Sequence, residues 1–412
     1  AATARYTKAE YTPPVTDTDE SPETRTLWIK DYLDRIGVVS KGDQRVVIES
    51  PELLHGGSTV LTDISENNWV VGYAATALSG GAQIAMEESC AELTDPVAIQ
   101  DCAWGMKTRL NALSPSETFY TLRAYRWKLD DNLQVTESLD LGLSFPLDVD
   151  VHDGEYISSA TGVNELGHVV GFSDGFKNNS DRDNDNNVRT VATYHDGTTV
   201  SSFIDQDDYR QSKAFDINDS DIVVGYAAKF FSTTLTKQFF YYDATTGTAT
   251  HPVGFFESSA SVAHAINNHG VIVGIAEVES SITQYRREHG FIYDIAAGVM
   301  TDLNDLTTCN NPYRIVEARD INDNGEIVGT AGWNVDKRDT LGNVILDANG
   351  NPEQEQITRA VKLVPVAGGT VDDCTVTEEP TYERKGAGFG FAPLVLLGAL
   401  FGLRRRTKVN RR

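Results

Sequence analysis

Five stretches of this chain align without a gap: LTDISENNWVVG (61–72), ATGVNELGHVVG (160–171), AFDINDSDIVVG (214–225), AHAINNHGVIVG (263–274) and ARDINDNGEIVG (318–329). Their starts are 99, 54, 49 and 55 residues apart. A period near fifty residues with several short strands per unit constrains a fold more than any single motif does. In each copy a short apolar strand leads into an Asn-x-x-Gly turn, and a β-branched run leaves it. The closing glycines Gly72, Gly171, Gly225, Gly274 and Gly329 are expected where backbone approaches closely or bulges.

Between the copies recurs a strand bearing aromatic or apolar residues and ending in a Gly or Asp turn: 124–132, 191–197, 239–247, 291–298 and 360–369. Residues 4–14 resemble one more such strand. A unit of this kind cannot bury both faces alone, so neighbouring units must stack. The expected fold class is all-β: a propeller-like array of five or six blades over residues 1–369. Two partly helical insertions are expected, about 15–50 (helical at 26–37) and 76–118. A linker would follow at 370–385.

Residues 386–403, GAGFGFAPLVLLGALFGL, hold no charge and precede RRRTKVNRR at 404–412. Eighteen apolar residues suffice to span a bilayer as a helix. The arginines would then mark the cytoplasmic side and a basic tail. Gly398 and Gly402 form a GxxxG pair, a spacing also common in such helices without any packing role. The chain starts at Ala1 with neither methionine nor apolar leader, which is the expectation for an exported protein whose signal peptide has been removed.

The formal charge is −25, and from Lys385 to Arg412 there are seven basic residues and no acidic one, so the body is more acidic still. Such a body repels phosphate backbones, which argues against nucleic acid as a partner. The cysteines Cys90, Cys102, Cys309 and Cys374 lack CxxC spacing, and in an oxidising compartment they read as two disulfides. Cys90–Cys102 would close an insertion, and Cys309–Cys374 would tie the C-terminal segment to the body.

Chemical motifs are sparse. Gly171-Phe172-Ser173-Asp174-Gly175 spells GxSxG, but its first glycine is the last column of the second repeat, so a nucleophile elbow is not expected. The eight histidines include no HExxH pair; His264 and His269 lie five apart and read as structural surface side chains. Asp320, Asn322 and Asn324 imitate a calcium loop, yet Gly162 and Ala265 replace Asp320 in other copies and Ala331 stands where a bidentate glutamate belongs. The candidate calcium ligands are instead Asp181, Asp183 and Asp185, with a solvated loop as the alternative. No cofactor fingerprint occurs.

The repeats resemble the HAF-type extracellular repeat, A-x-x-I-N-x-x-G-x-I-V-G. The tail resembles the GlyGly-CTERM sorting signal, with Gly386 and Gly388 at the glycine start and Arg404, Arg405 and Arg406 at the basic end. Together they resemble the DUF3466 family of envelope proteins. That resemblance implies a Gram-negative envelope protein sorted by a rhomboid-type protease (rhombosortase). It would be membrane-anchored with its main domain periplasmic, or at the cell surface or secreted after cleavage. The expected role is a binding or scaffold module for a glycan or surface protein. A polysaccharide hydrolase or lyase with carboxylates at the array axis, and a structural surface component, are the alternatives.

Overall fold

The computed structural model describes residues 6–12, 23–30, 34–113, 119–146, 155–177, 187–280 and 286–372. Two hairpins come first, β1 (Tyr6–Tyr11) with β2 (Arg25–Lys30), and β3 (Gly37–Lys41) with β4 (Gln44–Ile48). Five antiparallel sheets follow, each a meander in chain order. Sheet I is β5 (Thr59–Ile64), β6 (Trp69–Leu78), β7 (Tyr120–Leu129) and β8 (Val135–Gly142). Sheet II is β9 (Ser158–Val163), β10 (Val169–Phe176), β11 (Val188–His195) and β12 (Val200–Ser202). Sheet III is β13 (Gln211–Ile217), β14 (Ile222–Phe231), β15 (Thr234–Asp243) and β16 (Thr248–Thr250). Sheet IV is β17 (Ser261–Ile266), β18 (Val271–Glu277), β19 (Glu288–Asp294) and β20 (Val299–Asp302). Sheet V has three strands, β21 (Tyr313–Ile321), β22 (Ile327–Asp336) and β23 (Gln354–Leu363).

Each repeat copy is the first hairpin of a sheet. The turn's eighth column needs a left-handed backbone, and Gly167, Gly270 and Gly325 adopt it, as do Asn68 and Asp221 in the two copies without glycine. Asn and Asp are the residues that tolerate this conformation best after glycine. A Cβ on the closing glycine would overlap a carbonyl oxygen of the preceding strand in every copy, for instance Lys213 O at Gly225 and Glu317 O at Gly329. Each inner hairpin also shifts register just there. Close approach and bulge occur together.

The motif also stitches one sheet to the next. The turn asparagine accepts from two N–H groups of its own turn, as Asn218 Oδ1 does from Ser220 and Ile222 at 3.0 Å. Its amide nitrogen reaches the next copy: Asn164 donates to Asn218 O, Asn218 to Asn267 O, and Asn267 to Asn322 O at 3.1–3.2 Å. In the following column, the backbone N–H of Glu66, Glu165, Asp219 and Asn268 donates to the side chain of the next copy at 2.6–3.0 Å. These polar groups are thereby satisfied in pairs, as buried joints require.

Apolar clusters fill each joint. Val71 packs with Ala160 and Val169, Val170 with Ala214 and Val223, Val224 with Ala263 and Ile272, and Val273 with Ala318 and Ile327. The hairpin of β3 and β4 covers the face of sheet I that has no preceding sheet, through Ile48, Val39 and Val46 against Val70, Ala74 and Trp127. Among the described residues no sheet covers the far face of sheet V. Its Val328 is 43 % exposed, whereas Val71, Val170, Val224 and Val273 in the same column are 0–1 % exposed. The five sheets form an open succession rather than a closed ring.

The insertion between β6 and β7 holds α1 (Gly80–Cys90) and α2 (Pro96–Leu113). Cys90 and Cys102 are disulfide-bonded with Cα atoms 6.1 Å apart, tying the two helices together. Cys309 is also in a disulfide, and Cys374 lies outside the described residues. Two expectations fail near the N-terminus. Residues 4–14 do not join a repeat sheet, since Tyr6–Tyr11 pairs with Arg25–Lys30. The segment 26–37 starts as a strand and not a helix, because Thr26, Trp28 and Ile29 are strand formers and find a partner in β1. No helix of the described residues is long and apolar enough to cross a membrane; residues 386–403 lie outside them.

Candidate functional site

The inner strands β5, β9, β13, β17 and β21 carry the repeat's third column: Asp63, Gly162, Asp216, Ala265 and Asp320. Asp63 and Asp320 lie close enough to Asp216, and Asp320 to Asp63, for their charge to raise the proton affinity of Asp216 and Asp63, so the inner strands of sheets I, III and V approach a shared axis. Each aspartate accepts from the N–H of the residue after it, at 2.8 Å. The second oxygen of Asp63 accepts from Val163 N in sheet II, and that of Asp216 from Ile266 N in sheet IV, both at 2.9 Å. These receiving sheets have Gly162 and Ala265 in the column and no carboxylate to satisfy that N–H themselves.

Burial pushes the Asp216 carboxyl up to about 7, against the opposing backbone bonds and with help from Asp63 and Asp320. Asp63 is raised for the same leading reason. A carboxyl raised in the folded state favours folding below its unfolded value of 3.8, and that contribution is lost as pH rises through about 7.

The second column adds further joints. Thr62 Oγ1 donates to Ala160 O at 2.9 Å and Thr161 Oγ1 to Ala214 O at 2.9 Å. His264 donates from Nδ1 to Ala318 O at 3.0 Å, with Glu317 at 3.5 Å. His264 is therefore a partly buried joint residue, not a surface side chain, and burial holds its imidazole below the usual range.

At the end where the inner strands begin, the surroundings change character. Lys213 Nζ lies 3.7 Å over the Phe172 ring and Lys237 Nζ 4.7 Å over Tyr226. Phe215 bridges Tyr226 and His264 at 5.8 and 6.0 Å between ring centroids. Arg319 pairs with Glu317 at 2.9 Å. Lys213 and Lys237 form no ion pair among the described residues, and burial followed by the nearby Lys237 charge holds Lys213 below its ordinary value. This mouth offers aromatic faces and two lysines without an ion-pair partner among the described residues, with Asp174 and Glu288 near, in a strongly acidic chain.

Other candidates carry less chemistry. Ser173 of the GxSxG sequence is buried within β10, where its hydroxyl donates to Asp174 O and accepts from Ser144 N, so it is no elbow nucleophile. His289 donates from Nδ1 to Asp302 at 2.6 Å, and its buried Nε2 has no partner. The pair is mostly buried, with little of either side chain exposed. A cleft of about 550 Å³ beside sheet V is lined mainly by apolar residues such as Leu303, Leu306 and Pro365. Among the described residues no group of three or more His, Cys, Asp or Glu side chains could hold a metal ion.

Asp181, Asp183 and Asp185 lie outside the described residues, as do Gly386, Gly388, Arg404, Arg405 and Arg406. Of the axial aspartates only Asp320 drew notice in the sequence, as an imitation of a calcium ligand replaced by Gly162 and Ala265 in other copies; Asp63 and Asp216 in the same column went unremarked. Nothing in the sequence signalled the mouth, because its lysines and aromatic residues come from different strands. No curated protein matches the chain. Over residues 1–406 it matches the family described as a protein of unknown function, DUF3466, and it belongs to that family.

Proposed function

We propose that the chain is an exported, propeller-like binding module that presents the basic and aromatic mouth at its axis to a glycan or a surface protein. The observation that carries this reading is the contrast between the two parts of the axis. Asp63 and Asp216 have their oxygens filled by backbone N–H groups, whereas Lys213 and Lys237 lie over ring faces and form no ion pair among the described residues, although Asp174 and Glu288 are near. Aromatic faces stack on sugar rings or apolar side chains, and a half-desolvated lysine gains more from an anionic group than a solvated one does. In this reading residues 386–403 anchor the module in a membrane, and a rhomboid-type protease acting near Gly386 and Gly388 would free it. Calcium would bind only at Asp181, Asp183 and Asp185.

A glycan-array and pull-down screen of the full chain in mild detergent, with and without calcium, tests the reading. Binding should be retained in wild type and lost in the Lys213→Glu, Lys237→Glu double variant with an unchanged melting temperature. A second reading draws on the Asp216 carboxyl, which at about 7 is about half protonated at neutrality and so keeps a population able to act as a general acid. Turnover of a polysaccharide that disappears in Asp216→Asn, with no binding in the screen, would favour that hydrolase or lyase instead.

A further inference from the structure

In each inner hairpin the register shift leaves the residue after the repeat's first column without a partner on the second strand. That residue is Thr62, Thr161, Phe215, His264 or Arg319, and a bulge of this kind turns its side chain out of the ladder. Thr62, Thr161 and His264 use the position to close a joint, donating to the first-column carbonyls Ala160 O, Ala214 O and Ala318 O. Arg319 has no following copy and pairs with Glu317. Phe215 does have one, and it cannot donate. Among the described residues no side chain reaches Ala263 O, so the joint of sheets III and IV lacks a stitch that the other three keep. The Phe215 ring is only half-buried, 5.8 Å from Tyr226 and 6.0 Å from His264 between centroids, so part of its surface is open to solvent.

The surroundings of that ring are rich in charge. Lys213 lies 3.7 Å over Phe172 and Lys237 4.7 Å over Tyr226, near enough to each other for the Lys237 charge to disfavour a second ammonium. Two such cations, one of them half-buried, repel unless an anion lies against them. Asp174 and Glu288 soften that repulsion without pairing with either lysine. Lys, Glu and Asp are depleted from the cores of protein–protein interfaces, which makes this lining a poor seat for a folded partner. It suits a sugar, whose hydroxyls both donate and accept and whose ring offers an apolar face to an aromatic one. The second strands run from the Asn-x-x-Gly turns toward this end, so the connections that follow them, α1 and α2 included, rise beside the mouth.

We infer that Phe215 is the stacking platform of the mouth and that its ligand is an acidic glycan, with a sugar ring lying on Phe215 and the anionic group, carboxylate or sulfate, meeting Lys213 and Lys237. This rests on the reading of the mouth as a binding site and narrows its partner to one class. One joint of the four gives up a hydrogen bond, and the mouth gains an aromatic face.

Calorimetric titration of the full chain in mild detergent tests this, with oligogalacturonate, its methyl ester, a sulfated galactan oligosaccharide and a neutral galactan oligosaccharide as probes. Wild type should bind one or both acidic probes about tenfold or more tighter than the ester and the neutral probe. The two acidic probes tell carboxylate from sulfate. Phe215→Thr should supply a donor for Ala263 O and melt no lower than wild type, yet weaken binding about tenfold. Phe215→Tyr should bind as wild type, and Lys237→Gln should lose the preference for the acidic probes. Equal binding of acidic and neutral probes would overturn the inference. So would unchanged binding by Phe215→Thr, or a melting temperature of that variant well below wild type, which would make the ring a packing residue. If no probe binds while a protein is still captured through Lys213 and Lys237, this inference fails and the binding-module reading stands; with neither probe nor protein bound, both fail.

Discussion

Sheets III and V share seven of the twelve residues of the motif, Asp, Asn and the closing Val-Gly among them, AFDINDSDIVVG and ARDINDNGEIVG, and differ in what lies beyond them. In sheet III every group of the motif has a second duty: Asn218 caps its turn and binds Asn267 O, and Asp216 holds Ile217 N and Ile266 N. In sheet V the corresponding Asn322 and Asp320 keep only the duty inside their own copy. Part of the motif therefore makes the hairpin, and part makes the joint.

Four comparisons can break or sharpen that division. The closing glycine belongs to the hairpin, so Gly225→Ala and Gly329→Ala should both cost about 3 kcal/mol or more, since the added carbon meets backbone and not a yielding side chain. Tolerance of Gly329→Ala in a thermal melt would mean that sheet V is not paired as described. The column-eleven valine belongs to the joint. Val224→Ala should lose roughly 2 kcal/mol, against about 0.5 or less for Val328→Ala. Equal losses in urea unfolding would mean that sheet V is covered after all.

The turn asparagine serves both roles. Asn218→Ala should cost about 2 kcal/mol and Asn322→Ala about 1, because only the first also strands a carbonyl in a joint. Denaturant midpoints of the two variants decide it. The last effect is the most specific. Between 3.8 and about 7, wild-type stability should fall with rising pH through Asp216. Asp216→Asn should flatten that slope, and an unchanged slope would mean that the carboxyl is not enclosed at the axis.

Much of the hairpin was legible in one dimension. The turn columns and the closing glycine depend on local backbone geometry, so Asn164, Gly167 and Gly171 announce themselves by type and spacing. The joints were less legible. Whether Val328 or Val224 is buried depends on a neighbour far away in the chain, and identical letters describe both. The same holds for the mouth, where Phe172, Lys213 and Lys237 meet only because two sheets stack. The N-terminal hairpin misled for a simpler reason. Tyr6–Tyr11 has the composition of a repeat strand, and its partner, Arg25–Lys30, lies close by in sequence.

The third column has a consequence for how such a chain can grow. Asp63 serves sheets I and II, and Asp216 serves sheets III and IV, each aspartate facing a copy that carries glycine or alanine. Inserting one copy would set two carboxylates beside a single N–H, or leave an N–H with none. Inserting two restores every partner. A pair of copies, not a single copy, is thus the unit within which each such N–H has one carboxylate, and the fifth copy, with Asp320, stands outside the pairs.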